Sequence, residues 1–239
     1  MSKQPVIAAV LNFSGNVGKT TVAGQCLAPR LNVPMFSVES INVDASADGM
    51  EVERLRGKKY GELLGEIMKS GSAIVDVGAS NVEEFLKYMQ QYDGSHEEFT
   101  HFIIPVVKER KQQADTVNTI RALAAIGVPK KKIRVVFNKV DLDDQVEDEF
   151  APLFGLAEAE GSFTLRPEAV IYNNEVFERL KGMGKTLADV MADATDYRAQ
   201  VQTAKDDEER DHFVKMVGLK RLGATATRNL DAAYTALFR

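Results

Sequence analysis

The chain has 239 residues, and its 30 Lys and Arg against 35 Asp and Glu give a net charge of −5, which excludes bulk attraction to nucleic acid or anionic lipid and leaves such binding to a local basic patch. A hydrophobic content of 44% with 27% charged residues excludes a disordered chain, and the length suits one α/β domain with a large core. One cysteine, Cys26, excludes an intrachain disulfide, and with no signal-like segment or long apolar span the expected compartment is the cytoplasm. Cys26 lies among Val22, Ala23 and Leu27 and reads as a small buried apolar residue rather than a catalytic thiol.

The first apolar run, Val6 to Leu11, predicts a strand that feeds the loop Ser14-Gly15-Asn16-Val17-Gly18-Lys19-Thr20-Thr21, with a helix over residues 21–27. A Gly-rich turn between strand and helix that ends Gly-Lys-Thr is a phosphate cradle, because loop and helix N–H groups converge where the helix dipole also favours anions. Lys19 would reach the outer phosphates and the Thr20 hydroxyl would take a position on Mg²⁺. Phe13 stands where the usual pattern has its first Gly, so the loop is a variant.

Residues 35–39 form a second apolar stretch that runs into a polar, acid-bearing segment with Asp44 and Asp48, and residues 55–68 have helical spacing. Ala73-Ile74-Val75-Asp76-Val77-Gly78 is a third strand ending in an acid and a glycine. A carboxylate at such a strand end holds Mg²⁺ in P-loop enzymes, usually through water, and it equally suits a helix cap. A helix from about Asn81 follows, then a strand over 101–107 in which Pro105 predicts an end or a bulge. His96 and His101 lack metal-ligand spacing.

The Lys108-Glu109-Arg110-Lys111 cluster precedes a helix over 113–125, with a fifth strand from Ile133 and a sixth over 169–172. The fifth runs into Asn138-Lys139-Val140-Asp141, which matches the guanine-recognition tetrad of P-loop GTPases; there the Asp accepts two hydrogen bonds from the base and the Lys stem packs on it. Residues 155–161 read as a polar connection. A second Gly-Lys-Thr, Gly184 to Thr186, lacks a preceding strand and reads as a loop, and from Leu187 onward the pattern is helical. The later basic helix, with Lys215, Lys220, Arg221 and Arg228, reads as packed on the sheet, with contact to DNA or a partner as the alternative.

Six strands alternating with helices predict an α/β fold with a mostly parallel sheet, helices on both faces and the site at the strand carboxyl ends. The expected organisation is a single P-loop NTPase domain, with a nucleotide-binding core over about 1–190 and a helical tail over about 191–239.

The spacing of Gly15, Gly18, Lys19 and Thr20 resembles the deviant P-loop, Lys-Gly-Gly-x-Gly-Lys-Thr, of the ParA/MinD ATPases, with Ser14 in place of the lysine that crosses a sandwich dimer and Asn16 in place of the second Gly. The resemblance spans roughly residues 6–190, and the look of residues 36–40, 76–81 and 172–177 is most similar to StbB-type plasmid stability and conjugation proteins. It implies an ATP- and Mg²⁺-dependent switch, with Lys19 neutralising charge and Thr20 and Asp76 on the metal. It also implies a DNA-binding plasmid partner protein, and a homodimer that Ser14 puts in question. In the family an acidic pair after the second strand orients water; here Glu39 takes the first place and Ile41 the second, which makes Asp44 the substitute. An Asn at the end of the fifth strand contacts adenine in that family, which points to Asn138, and the segment after the last strand lines its base pocket, which points to Asn173. Two other readings stay open: a GTPase using Asn138, Lys139 and Asp141, and a module that binds nucleotide without hydrolysing it.

Overall fold

Short runs of apolar residues buried on both faces can satisfy their backbone only inside a parallel sheet covered on each side by helices. The computed structural model, which describes residues 5–39 and 57–239, has that architecture. Six strands, β1 (Ile7–Val10), β2 (Met35–Val38), β3 (Ala73–Val77), β4 (His101–Val106), β5 (Ile133–Val140) and β6 (Val170–Tyr172), pair in parallel in the order β2-β3-β1-β4-β5-β6. The strand order reverses beside β1, so the crevice for a ligand opens at its carboxyl end. Register sets Val10 opposite both Asp76 and Ile103, which aligns the ends of β1, β3 and β4.

Successive side chains point to opposite faces, and the two faces build separate cores. On one, Ala9, Leu11, Val75, Phe102 and Phe137 meet helices α2 (Gly57–Ser70), α3 (Val82–Gln91), α4 (Arg110–Ala125) and α5 (Ala151–Glu160). On the other, Ala8, Val10, Ile74, Ile103 and Val136 meet α1, residues 19–31, and the C-terminal helices α6 (Val176–Lys181), α7 (Leu187–Ala192) and α9 (Asp207–Phe238); the short α8 (Tyr197–Val201) packs against α9.

Three local expectations change. β4 continues through Pro105 to Val106. Pro105 pairs with Val136 on β5, but its nitrogen faces the β1 side beyond the last paired residue of β1, so no ladder bond is lost; its carbonyl accepts from Asn12 Nδ2 at 2.9 Å. Residues 155–160 are helical rather than a connection, because Leu153 and Leu156 bury one face and Gly161, at φ +55°, closes the turn. Helix α1 extends to Leu31 through a π-helical middle, Val22–Leu27; Pro29 donates no N–H there, and the Arg30 guanidinium donates to the carbonyls of Gln25 and Cys26 instead.

Helix α9 is joined to the sheet at many points. Leu230 and Ala233 are fully buried, Cys26 lies under the Leu230 carbonyl with its thiol pushed up to about 12 by burial, and Arg30 pairs with Asp231 at 2.8 Å. The Asn229 amide accepts from Tyr172 N–H and donates to Val170 C=O, both at 2.9 Å, closing the open edge of β6 as a neighbouring strand would. Gly223 is where α9 comes nearest α7, since a Cβ there would stand 2.9 Å from Met191 Sδ and 3.1 Å from a Leu187 methyl. His101, half-buried against the ring of Phe238 and facing Arg134 and Lys132, has its pKa lowered to about 4, chiefly by burial. No described helix is long and apolar enough to cross a membrane.

Leu230→Ala removes a fully buried side chain and is expected to cost about 2–5 kcal/mol in urea unfolding, in a single transition that includes the sheet; a loss under about 0.5 kcal/mol would mean that α9 adds nothing to the core. His101 stays neutral in the fold while the unfolded chain takes up its proton near pH 6.5. Its contribution is therefore complete above that pH and is lost as pH falls towards 4. Between pH 7 and 5, His101→Gln should lose less stability than the parent chain, and equal losses would refute this account.

Candidate functional site

The loop after β1 is shaped by two buried asparagines, one at each side. Asn12 is fully buried: its Nδ2 donates to Pro105 O at 2.9 Å and to Thr116 Oγ1 at 2.7 Å, while its Oδ1 accepts from Ser14 N–H at 2.8 Å and Thr119 Oγ1 at 3.4 Å. The loop is thereby tied to β4 and α4. From the other side Asn138, at the end of β5, donates its Nδ2 to Val17 O at 2.8 Å, and Lys139 reaches Asn16 O at 3.1 Å. Gly18 sits against Asn138 at φ +85°, and a Cβ there would fall 2.2 Å from the amide nitrogen, so no other residue fits. Asn16 adopts φ +59°, a left-handed conformation that Asn tolerates better than other non-Gly residues, which explains how it replaces a glycine.

The first turn of α1 has no side-chain cap, so its N–H groups are left for a ligand. Lys19 is 9% exposed and folds back onto its own loop, with Nζ 2.7 Å from Ser14 O and 3.3 Å from Asn12 O. Burial lowers its pKa, an effect that Asp76 opposes. Asp76 is 3% exposed, and burial raises its pKa above the ordinary carboxylate value; a hydrogen bond from the Thr20 hydroxyl and the charge of Lys19 oppose the shift, while the Glu39 charge adds to it. The other oxygen, Asp76 Oδ1, is buried without a hydrogen-bond partner. A buried unpaired carboxylate oxygen beside a threonine hydroxyl is a donor set for a hard divalent cation, which takes its remaining ligands from water and phosphate. The residues present fit Mg²⁺; elsewhere among the described residues no three His, Cys, Asp or Glu side chains gather as a metal site.

A cleft of about 420 Å³ joins these parts. Gly15, Asn16, Gly18, Lys19, Thr20 and Thr21 form one wall, and Glu39 stands with Gly78 across from it. Asn138 and Lys139, which hold the loop, line the cleft as well, as does Asn173. Of the other residues singled out in the sequence, Ser14 and Val17 are buried within the loop, and Asp76 is buried beneath the cleft lining, in electrostatic reach of Lys19 and Thr20. Asp141 lines an adjoining depression shared through Asn173 and Asn174, where Lys108 holds its carboxylate at 2.7 Å and Asn173 Nδ2 donates to it at 3.2 Å. These contacts hold the Asp141 pKa below the usual carboxylate range, the Lys108 hydrogen bond most of all. Asp44 lies outside the described residues.

Sequence reasoning missed Asn12, Thr116 and Thr119 as the loop's anchors, and Tyr172, Glu178 and Lys181 as part of the cleft. Asn12 left a trace, a polar residue closing an apolar run where a side chain buried beside β4 needs partners. The threonines left none, since their role depends on α4 lying across the loop.

No protein-family model and no curated protein sequence matches the chain. Among solved structures it is similar to the putative plasmid partition protein of Borrelia burgdorferi B31 bound to AMPPNP, at 13% identity over 90% of this chain and 98% of that one, with a TM-score of 0.50. It is also similar to the ATP complex of a Cyanothece McdA variant, at 14% identity over 92% and 97% with a TM-score of 0.49. The MinD cell division protein of Aquifex aeolicus gives 13% identity over 92% and 97%, again with a TM-score of 0.49. At such identities the likeness is one of fold alone, a six-stranded parallel sheet flanked by helices that the chain shares with the Borrelia protein.

Proposed function

We propose that the chain is a Mg²⁺-dependent nucleotide switch of the ParA/MinD kind, which binds and slowly hydrolyses ATP. The observation that carries this reading is the unpartnered, buried Asp76 Oδ1 beside Thr20, next to the uncapped start of α1 and the buried Lys19. Loop amides and Lys19 are placed to neutralise charge that develops on the outer phosphates, and a site fixed by Asn12 and Asn138 would need little rearrangement to do so. Thr20 and Asp76 would hold Mg²⁺, which supplies charge neutralisation between the phosphates. Glu39, which lines the same cleft, would orient water, with Asp44 the other candidate. Asn173 and the Asn138 amide oxygen would meet the adenine, the Asn138 amide nitrogen being given to Val17.

The fold likeness to a putative plasmid partition protein supports a role in plasmid stability or partition, or in conjugative DNA transfer, with a DNA-binding partner protein and nucleotide state setting its association. A homodimer is part of that proposal, but Ser14 is 5% exposed and does not project towards a second copy.

GTP is the second reading. It is favoured by the way Asn138 and Lys139 latch onto the loop carbonyls, which leaves Asp141 as the member of the tetrad available to a base. Against it, guanine would have to compete with Lys108 and Asn173 for the Asp141 carboxylate.

Titration calorimetry and turnover with ATP and GTP, with and without Mg²⁺, test both. ATP should bind and turn over, and Lys19→Ala should lower turnover about a hundredfold or more. Asp76→Asn should abolish the tightening of ATP binding that Mg²⁺ brings. A chain indifferent to both nucleotides would refute the switch. Tighter GTP binding that Asp141→Asn abolishes would replace ATP by GTP.

A further inference from the structure

The second Gly-Lys-Thr is not a second cradle, yet the fold brings it to the first. Thr186 caps α7 with a reciprocal pair: its Oγ1 accepts from Asp189 N–H at 3.1 Å, and Asp189 Oδ2 accepts from Thr186 N–H at 2.8 Å. The next residue, Leu187, donates its N–H to Gln25 Oε1 at 2.9 Å. Gln25 lies one helical turn beyond Thr21 on α1, so this bond straps the 181–187 loop onto the helix that starts at the cradle. Gly184, at φ +60°, lets the chain reverse just before the cap.

The result is a smaller cavity of about 220 Å³ whose walls include Thr20, Thr21, Gln25, Phe177, Lys181 and Lys185. Thr20, Thr21, Phe177 and Lys181 also line the main cleft, so the two are continuous. Thr21, which lines both, directly follows Lys19 and Thr20, the residues that would receive the outer phosphates and Mg²⁺. The group that follows the outer phosphates in a nucleoside triphosphate is the α-phosphate.

We propose that Lys181 and Lys185 are positioning residues that hold the α-phosphate of the bound nucleotide from within the same chain. The proposal rests on the nucleotide reading above and deepens it. Lys181 is now 2.7 Å from Glu178 Oε1 in an exposed pair, and Lys185 makes no ion pair among the described residues. A phosphate oxygen offers Lys181 a more highly charged partner than Glu178, whose carboxylate turns to solvent at little cost because the pair is exposed. A buried serine at position 14 supplies no cation, whereas Lys19 and Lys181 line the main cleft and Lys185 the cavity beside it.

The test is titration calorimetry of the full chain with Mg-ATP and Mg-ADP, for the parent, Lys181→Ala/Lys185→Ala, Glu178→Gln and Lys19→Ala. The lysine double variant should weaken both nucleotides about tenfold or more with an unchanged melting temperature, and Glu178→Gln should tighten both. Mixing the double variant with Lys19→Ala should restore no turnover, because each chain needs its own lysines. Unchanged affinity in the double variant, with Lys19→Ala defective, would overturn the lysine role and leave the nucleotide site standing. Restored turnover in the mixture would place the lysines in a partner's site and overturn the same-chain claim. A parent chain that binds neither nucleotide would overturn the nucleotide reading itself.

Discussion

The hydrogen bonds of two buried asparagines are the constraint on which the site depends. A loop with left-handed residues at Asn16 and Gly18 has no ladder partners of its own, so its backbone must be satisfied from outside. Asn12 does this from the β4 and α4 side and Asn138 from β5, which leaves the first amides of α1 directed at the cleft. Because each asparagine is nearly or fully buried, breaking either contact would strand polar atoms away from water, and the loop is fixed before any ligand arrives.

The electrostatics follow from that rigidity. Lys19 and Asp76 are held where burial disfavours the charged form of each, Lys19 with its pKa lowered and Asp76 with its pKa raised. Each opposes the shift of the other, and the Thr20 hydroxyl bonds one carboxylate oxygen, but Asp76 Oδ1 keeps no partner. Such a site is poised to gain from a cation and a polyanion together more than from either alone. Beside the cleft, Asp141 and Asp144 share Lys108, which binds the loop after β5 to the start of α4 without a fully buried charge.

The C-terminal helices complete the second face of the sheet. Without α9 the apolar side of α1 would face water, and β6 would present an open edge that Asn229 now closes. The same packing carries the 181–187 loop to α1, so a segment 162 residues away in sequence helps to wall the cleft of the phosphate loop.

The sequence by itself determined the six strands and the site's place at their carboxyl ends, because apolar runs of four to eight residues, a Gly-Lys-Thr turn and an Asp closing a strand are local signals. It also marked Lys19, Thr20 and Asp76 as a group, since only parallel strands ending side by side bring them together. Tertiary structure decided what depends on contacts between distant elements. Asn138 reads in sequence as a base contact, but in the fold its amide nitrogen holds the loop at Val17. Pro105 reads as a strand end, and whether its missing N–H costs a bond depends on where the neighbouring β1 stops. Leu153 and Leu156 make a helix of an apparently polar connection only because a core lies beneath them. Thr116 and Thr119 gain meaning from α4 crossing the loop, and Lys185 from the bond that Leu187 N–H donates to Gln25 two residues on. Local pattern fixes which backbone forms, whereas hydrogen-bond partners and neighbours across the sheet fix what each polar side chain does, and these are set only when the chain has folded.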